Sequence, residues 1–506
     1  MKKSMILASA LLGGFLLLTP SVNAQKRMVK MTTSKAAGSP ITLQVNRSLR
    51  GYTVDWGDGK PVTYQTSNKD FINTIEGTTK GSNITITGDT DWYMLNCANC
   101  SLTAIDLSKA KELQSLYCQH NELTQLDVRE MKWLVDLNCS HNKISHFEFT
   151  NASNPADDLQ QIESLNISHN KFTERYLWRL NNLQTLIAND NEFSYFYVYD
   201  PEIKYVDCSN NQIKNFMVLT QSPKISTLNC HGNNIVALKF ANDGENVKQL
   251  ICDGNKIKSI NIANADNLTD ISCSNNQAKE LTISGKARNI SSYNAKGNAL
   301  SLHSLPGKGS EPQYIEFLPQ NPFDISQAEG ILVKDDVPYA AVAASWNDRN
   351  KTTIDLKSFC SSANDRFDAT YQWFVINPDG SETEMTKRTS NNGSQDYYGS
   401  FGKFAFFTPQ KKAYLQLTSK NYGYIVKSMP IAIGDDITGV ENVTTALEIL
   451  HISSRGNTII LSCSKNIQVN IYNVAGKNVW NGTVCGTETV SLPKGVYIVN
   501  GKKVML

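Results

Sequence analysis

Leu116-Tyr-Cys118-Gln-His-Asn121-Glu-Leu123 is followed, 21 residues later, by Leu137-Asn-Cys139-Ser-His-Asn142-Lys-Ile144, and both read L-x-C-x-x-N-x-L. The pattern recurs along the middle of the chain, with its asparagine at Asn121, Asn142, Asn170, Asn191, Asn211, Asn233, Asn255, Asn276 and Asn298 and with Cys100 at the equivalent place of a first, imperfect copy. Successive gaps are 21, 21, 28, 21, 20, 22, 22, 21 and 22 residues. A fixed period of this length is the mark of a stacked array, in which each copy buries an apolar face only against its neighbours. About ten copies are expected between residues 92 and 302.

Leucine-rich repeats account for the period residue by residue. Leu116 and Cys118 are two apart on a short strand and point into the stack, while Tyr117 and Gln119 point outward onto a concave sheet. Each asparagine is expected to bond backbone groups of the turns, giving a buried ladder. Leu123, Leu126 and Val128 fill the convex side, and Ile257, Ile260 and Ile262 repeat that spacing. Cys97, Cys118, Cys139, Cys208, Cys230, Cys252 and Cys273 share one inward position, taken elsewhere by Ile167, Ala188 and Ala295. A ladder of free thiols is expected there, because cysteine packs as a small apolar residue. Bridges between adjacent rungs are the competing reading in an exported chain. Cys97 and Cys100 form a single C-x-x-C, too little for a metal site.

With cysteine replacing an inner leucine at a period of 21 to 22 residues, the array resembles the internalin class, and within it the cysteine-ladder, internalin J type. The resemblance covers about 210 residues, roughly 92 to 302. It implies a rigid, curved surface protein that binds macromolecules.

Upstream, Lys2 and Lys3, the apolar stretch Met5 to Leu18 and Val22-Asn23-Ala24 read as a signal peptide over residues 1–24. No other apolar run approaches 18 residues, so no transmembrane helix is expected in the mature chain. Residues 25–91 alternate as strands, at Ile41–Val45, Tyr52–Trp56 and Asn83–Ile86, and are expected to form an N-terminal β cap. Asp55 and Asp58 flank Gly57 in a tight turn, and two carboxylates fall short of the oxygens that calcium needs.

Downstream, Ser304 to Ser310 reads as a linker. Residues 303–436 then carry period-two strands such as Thr370-Tyr-Gln-Trp373-Phe-Val375, which resembles the central strand of immunoglobulin-like modules, although Cys360 stands alone there. Residues 437–506 contain Ile467 to Lys477 with Gly476, then Leu492-Pro-Lys-Gly495-Val-Tyr497-Ile-Val, and close on Gly501-Lys-Lys-Val504-Met-Leu506. In motif order and terminal position this resembles the C-terminal sorting domain of type IX secretion in Bacteroidetes. The resemblance implies passage through the periplasm to the outer cell surface, with the secretion machinery as a partner. Whether Cys463 and Cys485 are bonded stays open. The fold class expected is mainly β: a leucine-rich repeat solenoid with a β cap, an Ig-like β-sandwich and a C-terminal β-sandwich.

The chain has 506 residues, with 49 basic against 47 acidic side chains and 40% hydrophobic residues. That near-neutral balance provides no field for nucleic acid. Two features are candidates for binding. His120, His141 and His169 precede the ladder asparagine in three successive repeats, where imidazoles could bind metal or sense pH. Asn99, Asp190, Asn210, Gly232, Gly254, Asn275 and Gly297 take the same slot, and these are turn formers, which favours a turn role for the histidines too. The second feature is the row Tyr195, Tyr197 and Tyr199, with Tyr117 and Tyr205 on the concave side, suited to sugar rings or a protein hot spot; burial of the row against the neighbouring segment Arg175-Tyr-Leu-Trp178-Arg is the competing reading. No Ser/His/Asp, zinc or phosphate-loop spacing occurs, so no enzyme, cofactor or metal is expected. The expectation is a secreted surface recognition protein, an adhesin for host attachment or biofilm that binds a host or bacterial surface protein or glycan. Capture of glycan or protein for nutrition is the alternative, and an enzyme the less favoured one.

Overall fold

The computed structural model describes residues 26–505 apart from 68, 149–157, 176–179, 197, 199, 220–221, 307–311, 335–336, 361–368, 392–394, 435–450, 456–457, 474–477 and 500–501. They divide between Asn321 and Pro322 into two compact units. Both are built of strands, and no α-helix occurs among the described residues.

In the first unit each repeat contributes one short strand, as at Ser115–Tyr117, Asp136–Asn138 and Ser164–Asn166. Leu116, Leu137 and Leu165 stand opposite one another in parallel register. Equal spacing in sequence thus becomes vertical stacking in space, and every repeat position forms a row. The inward leucines and the ladder cysteines are completely buried. Parallel strands cannot be joined by a tight hairpin, so the chain returns along a second wall before each new rung. There Leu126 and Val128, and later Ile260 and Ile262, are buried, and neighbouring returns pair as Gln125–Asp127 with His146–Glu148 and Ser259–Ile262 with Glu280–Ile283.

The long sheet has 13 strands. Eleven are parallel, from Met94–Asn96 to Tyr314–Glu316, and two antiparallel strands, Pro40–Asn46 and Ile72–Thr78, precede them. The region expected as a cap therefore extends the repeat sheet directly. Its other strands form a five-stranded sheet with Asn83–Gly88 at the centre, flanked by Arg27–Thr33, which pairs in turn with Leu102–Lys109 from the first repeat's return wall. Val29, Leu43, Val54, Ile75 and Ile86 fill the space between the two sheets.

The repeats were expected to stop near residue 302, but the sheet runs one rung further. Tyr314–Glu316 pairs in register with Ser292–Asn294, and Gln320 stands 22 residues after Asn298, where a ladder asparagine is due.

The second unit holds a seven-stranded sheet that includes Ala369–Ile376 and Gln410–Ser419, and a three-stranded sheet of Ile354–Asp355, Lys403–Phe406 and Tyr397–Ser400. Trp373 is buried against Phe404 and Phe406, edge to face at 5.7 and 4.9 Å. Further along, Thr458–Asn473 and Asn478–Ser491 pair as long antiparallel strands, with Val496–Val499 and Lys502–Met505 alongside, over a core of Ile459, Leu461, Val469, Ile471, Val484 and Val499.

Candidate functional site

The ladder asparagines form the frame on which any site of the solenoid is hung. Asn121 Nδ2 donates to the carbonyls of Cys97 and Cys118, at 3.0 Å each, while its Oδ1 accepts from the amides of Cys100 and Leu102 at 3.0 and 2.8 Å. Asn142 makes the same contacts one rung on, to Cys118 and Cys139 and from Leu123. The series continues through Asn170, Asn191, Asn211, Asn233, Asn255 and Asn276 to Asn298, which bonds Cys273, Ala295 and Ala278. Gln320 ends it, accepting from Leu300 at 2.9 Å and donating to Ala295 at 2.8 Å. Sequence reading missed this residue; the 22-residue spacing was the signal, masked by Phe317 in the cysteine slot and by the longer amide.

Cys97, Cys118, Cys139, Cys208, Cys230, Cys252 and Cys273 are free and buried, as are Cys100 and Cys360. Burial pushes the thiols up, Cys100 to about 11, and holds Cys97, Cys118, Cys139, Cys230, Cys252 and Cys273 out of the thiolate form that metals and oxidants attack. The side chains of Cys463 and Cys485 lie outside the described residues.

In the ten rungs from Cys100 to Asn298 the residue before the ladder position is left-handed, with φ of +58° at Asn99, +55° at His120, +52° at His141 and His169, and +69° at Gly297, while Pro319 holds the slot before Gln320. The slot therefore selects residues that tolerate this conformation. Register then forces the three imidazoles into a column: His120 and His141 stack at 4.2 Å, and His141 and His169 at 4.0 Å, both 15° from parallel. His169 Nε2 lies 3.4 Å from Asp190 Oδ2 in the next rung. Burial and the two flanking imidazoles hold His141 below the usual histidine range. Face-to-face rings keep their in-plane lone pairs parallel, whereas a shared metal needs them to converge at about 2.0 to 2.1 Å. Among the described residues no group of three or more His, Cys, Asp or Glu is placed to hold a metal ion. Asp55 is engaged in the same sense: its Oδ1 accepts from the amides of Gly57, Asp58 and Gly59 at 2.9, 3.2 and 3.1 Å, closing a turn.

The tyrosines do not gather into one patch. Tyr117 is half-buried on the open face of the long sheet, and its hydroxyl donates to Asp136 Oδ2 at 2.6 Å. Tyr205 lies on the same face four rungs along, about 19 Å away at 4.8 Å per strand. Tyr195 is exposed on the return wall, in a strand paired with Glu174–Arg175, with Phe196 and Val198 buried beside it. Tyr197 and Tyr199 lie outside the described residues. Much of the open face is already engaged: Asn138 accepts from the amide and hydroxyl of Ser140, Asn166 from those of Ser168, and Asp207 from those of Ser209. In the terminal strands, Tyr497 is buried and its hydroxyl donates to the Pro493 carbonyl at 2.8 Å. Gly495 and Leu492 flank this contact half-buried. Gly476 and the side chain of Val504 lie outside the described residues.

No protein-family model matches the chain, and no curated protein matches it. Among solved structures, the leucine-rich effector protein YopM of Yersinia pestis aligns at a TM-score of 0.38 and 19% identity, over 47% of this chain and 64% of YopM, just under two thirds of that protein. InlJ of Listeria monocytogenes, whose functional domain includes a cysteine ladder, aligns at 0.29 and 14%, over 70% of this chain and 93% of InlJ. InlP of Listeria monocytogenes aligns at 0.30 and 12%, over 62% and 88% of the two chains. These neighbours are leucine-rich repeat proteins; the first unit of this chain is, by its parallel register and amide ladder, a β-solenoid.

Proposed function

We propose that the chain is an exported recognition protein, displayed on the bacterial surface and used as an adhesin toward a host or bacterial surface protein or glycan. The observation that carries this reading is the open face of the long sheet. Eleven parallel strands, ten steps of about 4.8 Å, give it a length of about 48 Å, and the buried amides fix each rung to the next. Ser164, Thr185, Tyr205 and Thr227 sit half-exposed along it in one row, a flat array of hydroxyl groups suited to macromolecular contact. The signal-peptide-like leader and the sorting-domain-like terminus support export and surface attachment through type IX secretion. The immunoglobulin-like segment serves as a spacer or as a second binding module.

The test is a screen of residues 25–436 against glycan and host-protein arrays, repeated with Ser164→Glu, Thr185→Glu and Thr227→Glu combined. A ligand whose affinity falls tenfold or more in the triple variant supports the reading. Ligands bound equally well by that variant would move recognition off the sheet.

A further inference from the structure

The second unit carries a cluster that recognition through the solenoid does not use. Trp346 and Arg349 lie on the 3-10 helix Trp346–Lys351, where a spacing of three places both on one face. The Arg349 guanidinium carbon stands 4.3 Å from the Trp346 ring centre and 5.4 Å from that of Tyr398. Arg388 approaches the same tryptophan at 5.3 Å and covers Phe407 at 4.6 Å. Trp346 in turn stacks on Phe407 and meets Tyr398 edge-on. Two cations are thus held within 5.3 Å of one ring centre.

Among the described residues neither has a counter-charge. No carboxylate lies within 4 Å of either guanidinium among the described residues, and the nearby acids are engaged elsewhere: Asp348 with Lys351 and Ser345, Asp396 with the Thr386 amide and the Thr408 hydroxyl. Lys387, next to Arg388, donates to the Tyr371 hydroxyl and covers that ring at 4.7 Å. Arg349 Nη1 donates to the Trp346 carbonyl, but its Nε is buried without an acceptor. Arg388 donates from Nε and Nη2 to the carbonyls of Ser390 and Asn391, which leaves Nη1. A shielded guanidinium N–H with no acceptor and two like charges sharing a ring are both unfavourable unless an oxyanion completes them.

The aromatic faces are covered by the cations, so the groups left to meet a ligand are N–H donors. That selects a carboxylate or sulfate over a neutral sugar ring. Two guanidiniums on one ring, with the Lys387 ammonium one residue from Arg388 in the chain, match a polymer that repeats its charge from sugar to sugar. We propose that Arg349 and Arg388, with Lys387, form a binding site for an acidic polysaccharide, a uronate or sulfated glycan, separate from the solenoid face.

The test measures binding of the full chain to heparin and to polygalacturonate, with dextran, a phosphoserine peptide and phosphatidylglycerol vesicles as comparisons. Expected is binding to at least one acidic polysaccharide and none to dextran, with affinity falling tenfold or more in Arg349→Gln/Arg388→Gln and more strongly salt-dependent in the wild type. Lys427→Gln, which removes a cation over Tyr414 that is already paired with Glu382, should change nothing. Should the glutamine variant fail to fold, Arg349→Lys/Arg388→Lys decides: it keeps charge and ring contact but loses the planar fork, and should bind several-fold more weakly. Wild-type affinity in a folded glutamine variant, or in the lysine variant, overturns the proposal. So does the absence of polysaccharide binding, or binding confined to the peptide or the vesicles.

Discussion

One asparagine per rung satisfies backbone groups on two rungs. Asn211 bonds Ala188, Cys208 and Phe193 at 3.1 Å each, all inside the stack. Alanine at this position, or at Asn233, strands those groups away from water and should cost about 1 to 3 kcal/mol. Urea denaturation checks this, and an unshifted midpoint would refute it. His141 gives a pH prediction at the same scale. Because burial and its two imidazole neighbours lower its proton affinity in the folded chain, the unfolded chain takes up the proton first as pH falls below its ordinary value of 6.5. The contribution is therefore complete above that pH and lost as acid is added. His141→Asn tolerates the +52° backbone and should lose less melting temperature between pH 8 and pH 5 than the parent does. Equal losses would remove the column as the cause.

The rungs show why some elements were legible in the sequence and others were not. Asparagine at the ladder position has a fixed reach, so L-x-C-x-x-N-x-L betrays ten rungs directly. The eleventh escaped because Ile315-Glu-Phe317-Leu-Pro-Gln320 changes both key residues while keeping the geometry. A chain ending at 321 should consequently melt higher than one ending at 302, since the longer form keeps the strand that pairs with Ser292–Asn294; matching melting curves would deny the rung a structural role. The cysteine row yields a further test. Its thiols are buried and free, so a maleimide should label them only after denaturation and without reductant. Mass spectrometry showing a need for reductant would establish bridges instead. The Trp346 cluster had no sequence signal, because its members come from separate stretches around 346, 388 and 398 to 407 and meet only through sheet pairing.

For the whole molecule, the alternation of strands announced a β protein, and a break near residue 302 was placed some twenty residues before the boundary between the two units, because the linker-like Ser304 to Ser310 lies ahead of the last rung. Deleting residues 439–506 should leave leader cleavage intact and trap a stable chain with folded repeats in the periplasm, as the solenoid shares no rung with the terminal strands. Surface display of that truncated chain at the parent level would end the sorting hypothesis. The amide ladder also has a direction. Each asparagine reaches back, as Asn142 does to Cys118 and Leu123, so a rung is completed only when the following one is laid upon it. In a stack built this way the two ends are not equivalent: every rung leans on its successor, and the dependence stops at Gln320, whose own side chain closes the series onto Leu300 and Ala295.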